Sequence, residues 1–424
     1  MNEIFCKHLL EYRKRAGYSQ KDMSGKLLIE ESLYSQYENG TAEPGFDALI
    51  RIADVLKCSL DELLGRNSDY RNSWIDSGVV REEQVLYGRP RDKKKVLIGL
   101  QDFRRLRELH AYYVDKTMMI GEFLDSSYQI TLITRPRRFG KTMNMSMLAE
   151  FLDCTKDSRM IFEGTRVSRT EWMTELNQCP VIFLSLLEIK SDTAEGMLWQ
   201  LSGRIREEYK RYYNMLNSGK LSGDQVEEFN HIYDVLTYVQ SKEQWKNCII
   251  RSILVLCEVL SLYYGKNVYL LIDEYDTPFM SANTNGYYSE VRSVLAGFLS
   301  TSLKGNPYLE RAMLTGIQRV AKENIFSGLN NLTVLTVNDS EYEDCFGFTE
   351  EEVRKLLDDF DLEFTDEVKE TYDGYRFGNK DIYNPWSVTN YAVRKRLAPY
   401  WVNTAENSIL KDALRERGTI DLEK

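Results

Sequence analysis

The chain has 424 residues, 43% apolar and 28% charged, with a net charge of −10. That length exceeds one ordinary core and predicts two or three domains, and the composition is that expected of a folded soluble protein. The acidic balance means that any nucleic-acid binding must rest on a local basic patch, because the global field opposes it. Seven scattered cysteines without a CxxC pair argue against a disulfide framework or a zinc knuckle, and they fit a reducing, cytoplasmic setting. His8, His110 and His231 are far apart, so a histidine-rich metal site is not expected.

In chain order, residues 1–66 read as short helices. "EIFCKHLLEYRKRAG" stops at Gly17, "SQKDMSGKLL" opens with Ser19 as an N-cap, and "EESLYSQYENG" ends at Asn39-Gly40. "PGFDALIRIADVLK" and "SLDELLG" complete the set. Residue 2 onward is mixed polar, so no signal peptide is expected. Residues 67–95 lose the periodicity and read as a linker, with a basic run, "RPRDKKK", before "RRLR" at 104–107. From Val96 apolar runs alternate with helical stretches: "QITLIT" (129–134), "PVIFLSLL" (180–187), "NVYLLID" (267–273) and "RAMLTGI" (311–317). Strands separated by helices predict a mainly parallel sheet covered on both faces. "IIRSILVLCEVLSLYY" (249–264) is interrupted by Arg251 and Glu258, so it is expected to be a core helix and not a membrane span. The core is expected to run to residue 340. Residues 341–424 turn helical, with Thr349 capping "TEEEVRKLLDDF".

Two stretches carry chemistry. In "LITRPRRFGKTMNMS" (132–146) a short apolar strand meets Gly140-Lys141-Thr142 and an amphipathic stretch with Met143, Met147, Leu148 and Phe151 on one side. Strand, loop and helix are the context of a phosphate loop. Amide groups at the helix start face the phosphates, Lys141 reaches the β- and γ-phosphates, and Thr142 ligates Mg²⁺. Arg137 and Arg138 add positive charge. Arg135 stands where the loop ordinarily opens with glycine, and GKT by itself also suits a solvated basic turn. The second stretch is "VYLLIDEYDTPF". Asp273 at the strand end would hold Mg²⁺ through water, and Glu274 would deprotonate the attacking water. The two motifs in this order point to a site for ATP and Mg²⁺.

Together, "YYVDKTMMIGEFL", "LITRPRRFGKT", "LLIDEYDTPF", "LTGIQRVAKENIFSGLNNL", "FGFTEEEV" and "YDGYRFG…IYNPWSV" resemble the AAA-ATPase-like family of bacterial P-loop proteins, over about residues 96 to 405. That family's loop ordinarily reads RPRRFGK(S/T), so Arg135 belongs to its pattern. The resemblance implies that Thr315, on a strand between those of the phosphate loop and Asp273, senses the γ-phosphate or the attacking water. It also implies that Arg319 stabilises the transferring phosphoryl group, from its own subunit or from a neighbour in a homo-oligomer. A salt-bridged surface arginine is the alternative for Arg319. Asn330-Asn331 and Asn384-Pro385-Trp386 are signatures without assigned chemistry, for which a structural turn is the expected role. Many members continue into a nuclease-like domain, which would begin just past "YWVNTAENSIL". No nuclease activity is expected of these residues.

Residues 5–65 resemble the lambda-repressor-like helix-turn-helix family. Glu30–Tyr37 is then the recognition helix, with Gln20, Ser32, Ser35 and Gln36 as DNA-contact candidates. Leu28 replaces the usual turn glycine. Glu30-Glu31 repels phosphate, and residues 1–66 hold nine Lys/Arg against eleven Asp/Glu. A protein-interaction module is therefore the alternative. The resulting expectation is an α/β P-loop NTPase core, preceded by a small all-α helix-turn-helix domain and followed by a helical segment. It would act as a cytoplasmic ATPase with DNA as partner. A nucleotide switch without turnover and a protein-binding scaffold are the rivals.

Overall fold

The computed structural model describes residues 3–27, 29–56, 63, 95–317 and 331–400. Leu28, the expected helix at 59–65 apart from Leu63, the linker up to residue 94, Gln318, Arg319, Asn330 and the stretch after Tyr400 lie outside the described residues. The chain divides into two compact units, Met1–Asp92 and Lys93–Lys424.

The first unit contains α1 (Glu3–Arg15), α2 (Gln20–Leu27), α3 (Glu31–Asn39) and α4 (Phe46–Leu56). Ser19 starts α2 reciprocally: its Oγ accepts from Asp22 N at 3.1 Å, while Asp22 Oδ2 accepts from Ser19 N at 2.8 Å. Gly40, at φ 75°, ends α3 in the left-handed conformation that glycine adopts without steric cost. Phe5, Leu9, Met23, Tyr34 and Ile52 form the core.

The second unit begins with α5 (Phe103–Glu108), α6 (Met118–Asp125), β1 (Ile130–Thr134) and α7 (Lys141–Leu152). It continues through β2 (Val181–Ser185), α8 (Ala194–Arg211), α9 (Gly223–Thr237), α10 (Lys242–Tyr264), β3 (Val268–Asp273), α11 (Thr277–Thr284), α12 (Tyr288–Leu303), β4 (Leu309–Gly316) and β5 (Leu332–Leu335). The five strands form one parallel sheet in the order β2-β3-β4-β1-β5. Period-two alternation splits their side chains between two cores. Leu132, Leu270, Ile272 and Leu314 face the layer holding α8, α9, α10 and α12. Ile133, Leu271 and Met313 face the layer of α5, α6 and α7. α10 is long and apolar enough to cross a membrane, yet Trp245, Ile249, Ile253, Leu256 and Leu260 are buried in the first core.

Residues after Asn338 supply helices, as expected: α13 (Glu350–Asp359), α14 (Asp366–Tyr372) and α15 (Pro385–Arg394). They also supply a three-stranded antiparallel sheet of β6 (Phe348–Thr349), β7 (Tyr375–Phe377) and β8 (Lys380–Tyr383), ordered β6-β8-β7. Thr349 and Glu352 form the capping box of α13. Val353, Leu356, Tyr383 and Val388 make this lobe's own core.

Candidate functional site

Parallel pairing puts the C-terminal ends of β1, β2, β3 and β4 along one edge, the edge where open α/β sheets bind ligands. β1 runs into the phosphate loop there. Arg135 N donates to Gly316 O at 3.1 Å, so the loop starts tied to the end of β4. The Arg135 side chain is fully buried. It donates to Thr134 O (3.0 Å) and to the more distant carbonyls of Leu335, Glu341 and Tyr342, and its guanidinium lies 5.0 Å from the Phe377 ring centroid. Burial pushes its pKa down to about 10. The residue replacing glycine therefore does more than reshape a turn. It pins the loop to the C-terminal lobe. Phe139 adds to this brace, with ring centroids 4.7 Å from Tyr375 and 5.3 Å from Phe377, while its carbonyl accepts from Gly347 N at 3.0 Å.

Gly140, at φ 84°, turns the chain into α7. The helix is not one-sided as its pattern suggested. Met145, Met147, Leu148, Ala149, Phe151 and Leu152 are all buried, whereas Met143 is only half-buried. The sheet covers one side and α5 and α6 cover another, so a helix in the middle layer has no solvent stripe.

Asp273, at the end of β3, is fully buried and gathers three hydroxyls. Thr142 Oγ1 donates to Oδ2 at 2.8 Å, Thr315 Oγ1 donates to Oδ1 at 2.6 Å, and Ser185 Oγ lies 3.4 Å from Oδ2. Burial raises the Asp273 pKa, and the threonine hydrogen bonds only partly offset it. Lys141 Nζ sits 3.1 Å from Glu274 Oε1 and donates to Arg135 O and Pro136 O at 3.1 and 3.2 Å. Glu274 has φ 54°, a strained conformation for a non-glycine residue, and sparsely populated backbone conformations cluster at functional sites.

Lys141, Thr142, Asp273, Glu274 and Thr315 are therefore brought together, and β4 lies between β1 and β3. Arg137 is exposed, Arg138 is half-buried, and both line a cavity of about 1020 Å³ with Gly140, Lys141, Thr142 and Glu274. Two residues of the site had no role assigned from sequence. Ser185 is paired in register with Asp273, and the polar residue ending "PVIFLS" was the available signal. Trp386, named above only as part of a signature, lines the same cavity. Asn384 caps α15, and Asn331 Nδ2 donates to Gln129 Oε1 at 2.8 Å, so both serve structure.

In the first unit, Ser32, Ser35, Gln36 and Asn39 share one face of α3 by their spacing. Ser32 and Gln36 are exposed, and Ser35 Oγ accepts from Asn39 Nδ2 at 3.3 Å. Gln20 differs. It is half-buried, and its Nε2 donates inward to Glu38 Oε2 at 2.8 Å. Arg13 completes that network, with Nε 2.5 Å from Glu38 Oε1 and Nη2 3.0 Å from Oε2. Gln20 is thus engaged in holding α2 to α3.

The family described as Predicted AAA-ATPase matches residues 97–326, and a helix-turn-helix family matches residues 9–63. An uncharacterized protein in the vnfD 5′ region of Azotobacter chroococcum mcd 1 is 28% identical over 342 residues, covering 77% of this chain and 57% of its own length. The chain thus spans little more than half of that relative. The HTH-type transcriptional regulator ImmR of Bacillus subtilis is 38% identical over 89 residues, 19% of this chain and 70% of its own. The cryptic phage CTXphi transcriptional repressor RstR of Vibrio cholerae is 38% identical over 58 residues, 14% of this chain and 52% of its own. No solved structure matches. On these matches and this geometry, the chain belongs to the predicted AAA-ATPase family and carries a helix-turn-helix domain at its N-terminal end.

Proposed function

We propose that the second unit binds and hydrolyses Mg-ATP at the mouth of α7, and that the helix-turn-helix unit binds DNA. The observation carrying this reading is the shared carboxylate. Thr142 from the phosphate loop and Thr315 from the neighbouring strand both donate to Asp273, beside the Lys141–Glu274 pair. One carboxylate with hydroxyls is a hard-oxygen set that suits Mg²⁺, which typically takes one or two carboxylates and completes its shell with phosphates and water. Thr142 and Asp273 would hold the cation. Bound there, it would neutralise charge on the phosphates. Lys141, Arg137, Arg138 and the amides at the start of α7 would bind the polyphosphate. Glu274 would take the proton of the attacking water, Thr315 would orient that water, and Arg319 would supply positive charge to the transferring phosphoryl group.

Phosphate release by the full chain and by Glu274→Gln tests the enzyme reading. The variant should bind ATP and release phosphate about a hundredfold more slowly or worse. Equally slow release by both, with binding intact, favours a nucleotide switch without turnover. The Lys141–Glu274 ion pair supports that second reading, because it ties the base to a cation.

The DNA reading draws on the exposed α3 face and on the regulators named above, and it suggests a regulatory or phage-defence setting. A salt titration of DNA binding tests it. A negative slope of log affinity against log salt, about 0.9 per phosphate contact, is expected. No binding at low salt would favour a protein partner for this unit.

A further inference from the structure

The phosphate loop carries a cation that no carboxylate among the described residues neutralises. Arg138 sits at φ 71°, in the left-handed region, which costs a non-glycine residue roughly 1 kcal/mol. Its Nη1 is buried without a hydrogen-bond partner among the described residues. Burial and the neighbouring Arg137 are what act on it, and no carboxylate among the described residues pairs with it. An uncompensated, partly buried guanidinium in a strained loop is costly unless an anion completes it.

What holds this side chain is an indole. The Arg138 guanidinium carbon lies 4.1 Å from the centroid of the Trp386 ring. Trp386 belongs to the C-terminal lobe and not to the nucleotide core. It stands in the first turn of α15, where Asn384 Oδ1 accepts from Ser387 N at 3.1 Å and Pro385 fixes the helix start. Val388 and Ala392 bury the same helix in the lobe. A guanidinium held over an aromatic face by cation–π attraction leaves N–H donors for other partners, and those donors match phosphate geometry. Both residues line the cavity that holds Lys141 and Thr142.

We infer that Trp386 is a positioning residue for Arg138: it stacks the guanidinium so that its donors face the polyphosphate of a bound nucleotide, and it thereby ties nucleotide occupancy to the C-terminal lobe. The inference rests on the nucleotide reading of the site. It differs from a packing role for Trp386 in that the whole effect on affinity must pass through Arg138.

The experiment is a double-mutant cycle on the full chain, using a fluorescent ATP analogue with Mg²⁺ and thermal melting of each variant. Arg138→Ala should weaken binding by roughly 10- to 100-fold, the range for a charged hydrogen bond. Trp386→Ala should weaken it by about tenfold, and Trp386→Phe, which keeps an aromatic face, by less. The double variant should bind no more weakly than Arg138→Ala alone. If Trp386→Ala misfolds, Trp386→Phe in both backgrounds carries the same test. Unchanged affinity, or an equal loss with and without Arg138, would overturn the positioning role while leaving nucleotide binding intact. A folded wild type with no affinity for the analogue, indistinguishable from Lys141→Ala, would instead remove the nucleotide reading and this inference with it.

Discussion

Each unit buries a carboxylate, and the two are opposite in kind. Glu38 in the helix-turn-helix unit would be raised by burial, but hydrogen bonds from Arg13 and Gln20 outweigh that and hold its pKa below the ordinary value. Asp273 receives hydroxyls that bear no charge, and burial wins, so its pKa is raised. Glu38 is complete within its own unit and acts as a structural clasp. Asp273 is a buried acid whose direct partners are neutral, because Lys141 is given to Glu274. A cation would satisfy it. On the proposed nucleotide reading, the difference separates a network that holds a fold from one arranged around a ligand.

The largest effect that can break this contrast is at Asp273. Asp273→Asn should abolish Mg²⁺-dependent nucleotide binding yet not lower the melting temperature, because it removes a carboxylate whose ionised form burial disfavours. A lower melting temperature would count against a ligand-directed strain at this position. Next is Glu274→Gln, with its loss of about a hundredfold or more in phosphate release. Third is the clasp. Arg13→Ala should destabilise the first unit by about 3 kcal/mol, as expected for stranding a buried partner; a change near zero by denaturant titration would refute the clasp.

The pH dependences should run in opposite directions. Glu38 has a lowered folded pKa, so its contribution is present above its unfolded pKa and is lost as pH falls through the folded value. Asp273 has a raised folded pKa, so its ionisation costs stability as pH rises through that value, and acidification relieves the cost. Melting curves of Glu38→Gln and Asp273→Asn against pH should therefore diverge from wild type with opposite sign. The smallest effect belongs to the exposed face. Ser32→Ala with Gln36→Ala should leave stability within about 0.5 kcal/mol and weaken DNA binding several-fold.

The sequence was informative wherever local pattern and chemistry coincide. The β1, β2, β3 and β4 strands follow from apolar runs, and the meeting of Thr142 with Asp273 follows from two motifs at strand ends. The C-terminal sheet was missed because its strands have only two to four residues, too few to establish a period. The solvent stripe expected on α7 disappears because burial in a middle layer is set by neighbours distant in sequence. Arg135, read as a substitute for glycine, takes its role from carbonyls of Leu335, Glu341 and Tyr342. The Arg138–Trp386 stack was likewise invisible, since neither residue's own neighbourhood indicates the other. Gln20 shows the converse limit: a family position suggests a DNA contact, while three-dimensional packing gives its amide to Glu38.

If Asp273 answers a divalent cation brought together with a nucleotide, ATP binding must depend on the metal through that residue. Binding of ATP to the full chain, with excess Mg²⁺ and again with a chelator, should be compared between wild type and Asp273→Asn. Wild-type affinity should fall at least tenfold without the metal, and the variant should show no metal dependence. Equal affinities in all four measurements would contradict the account.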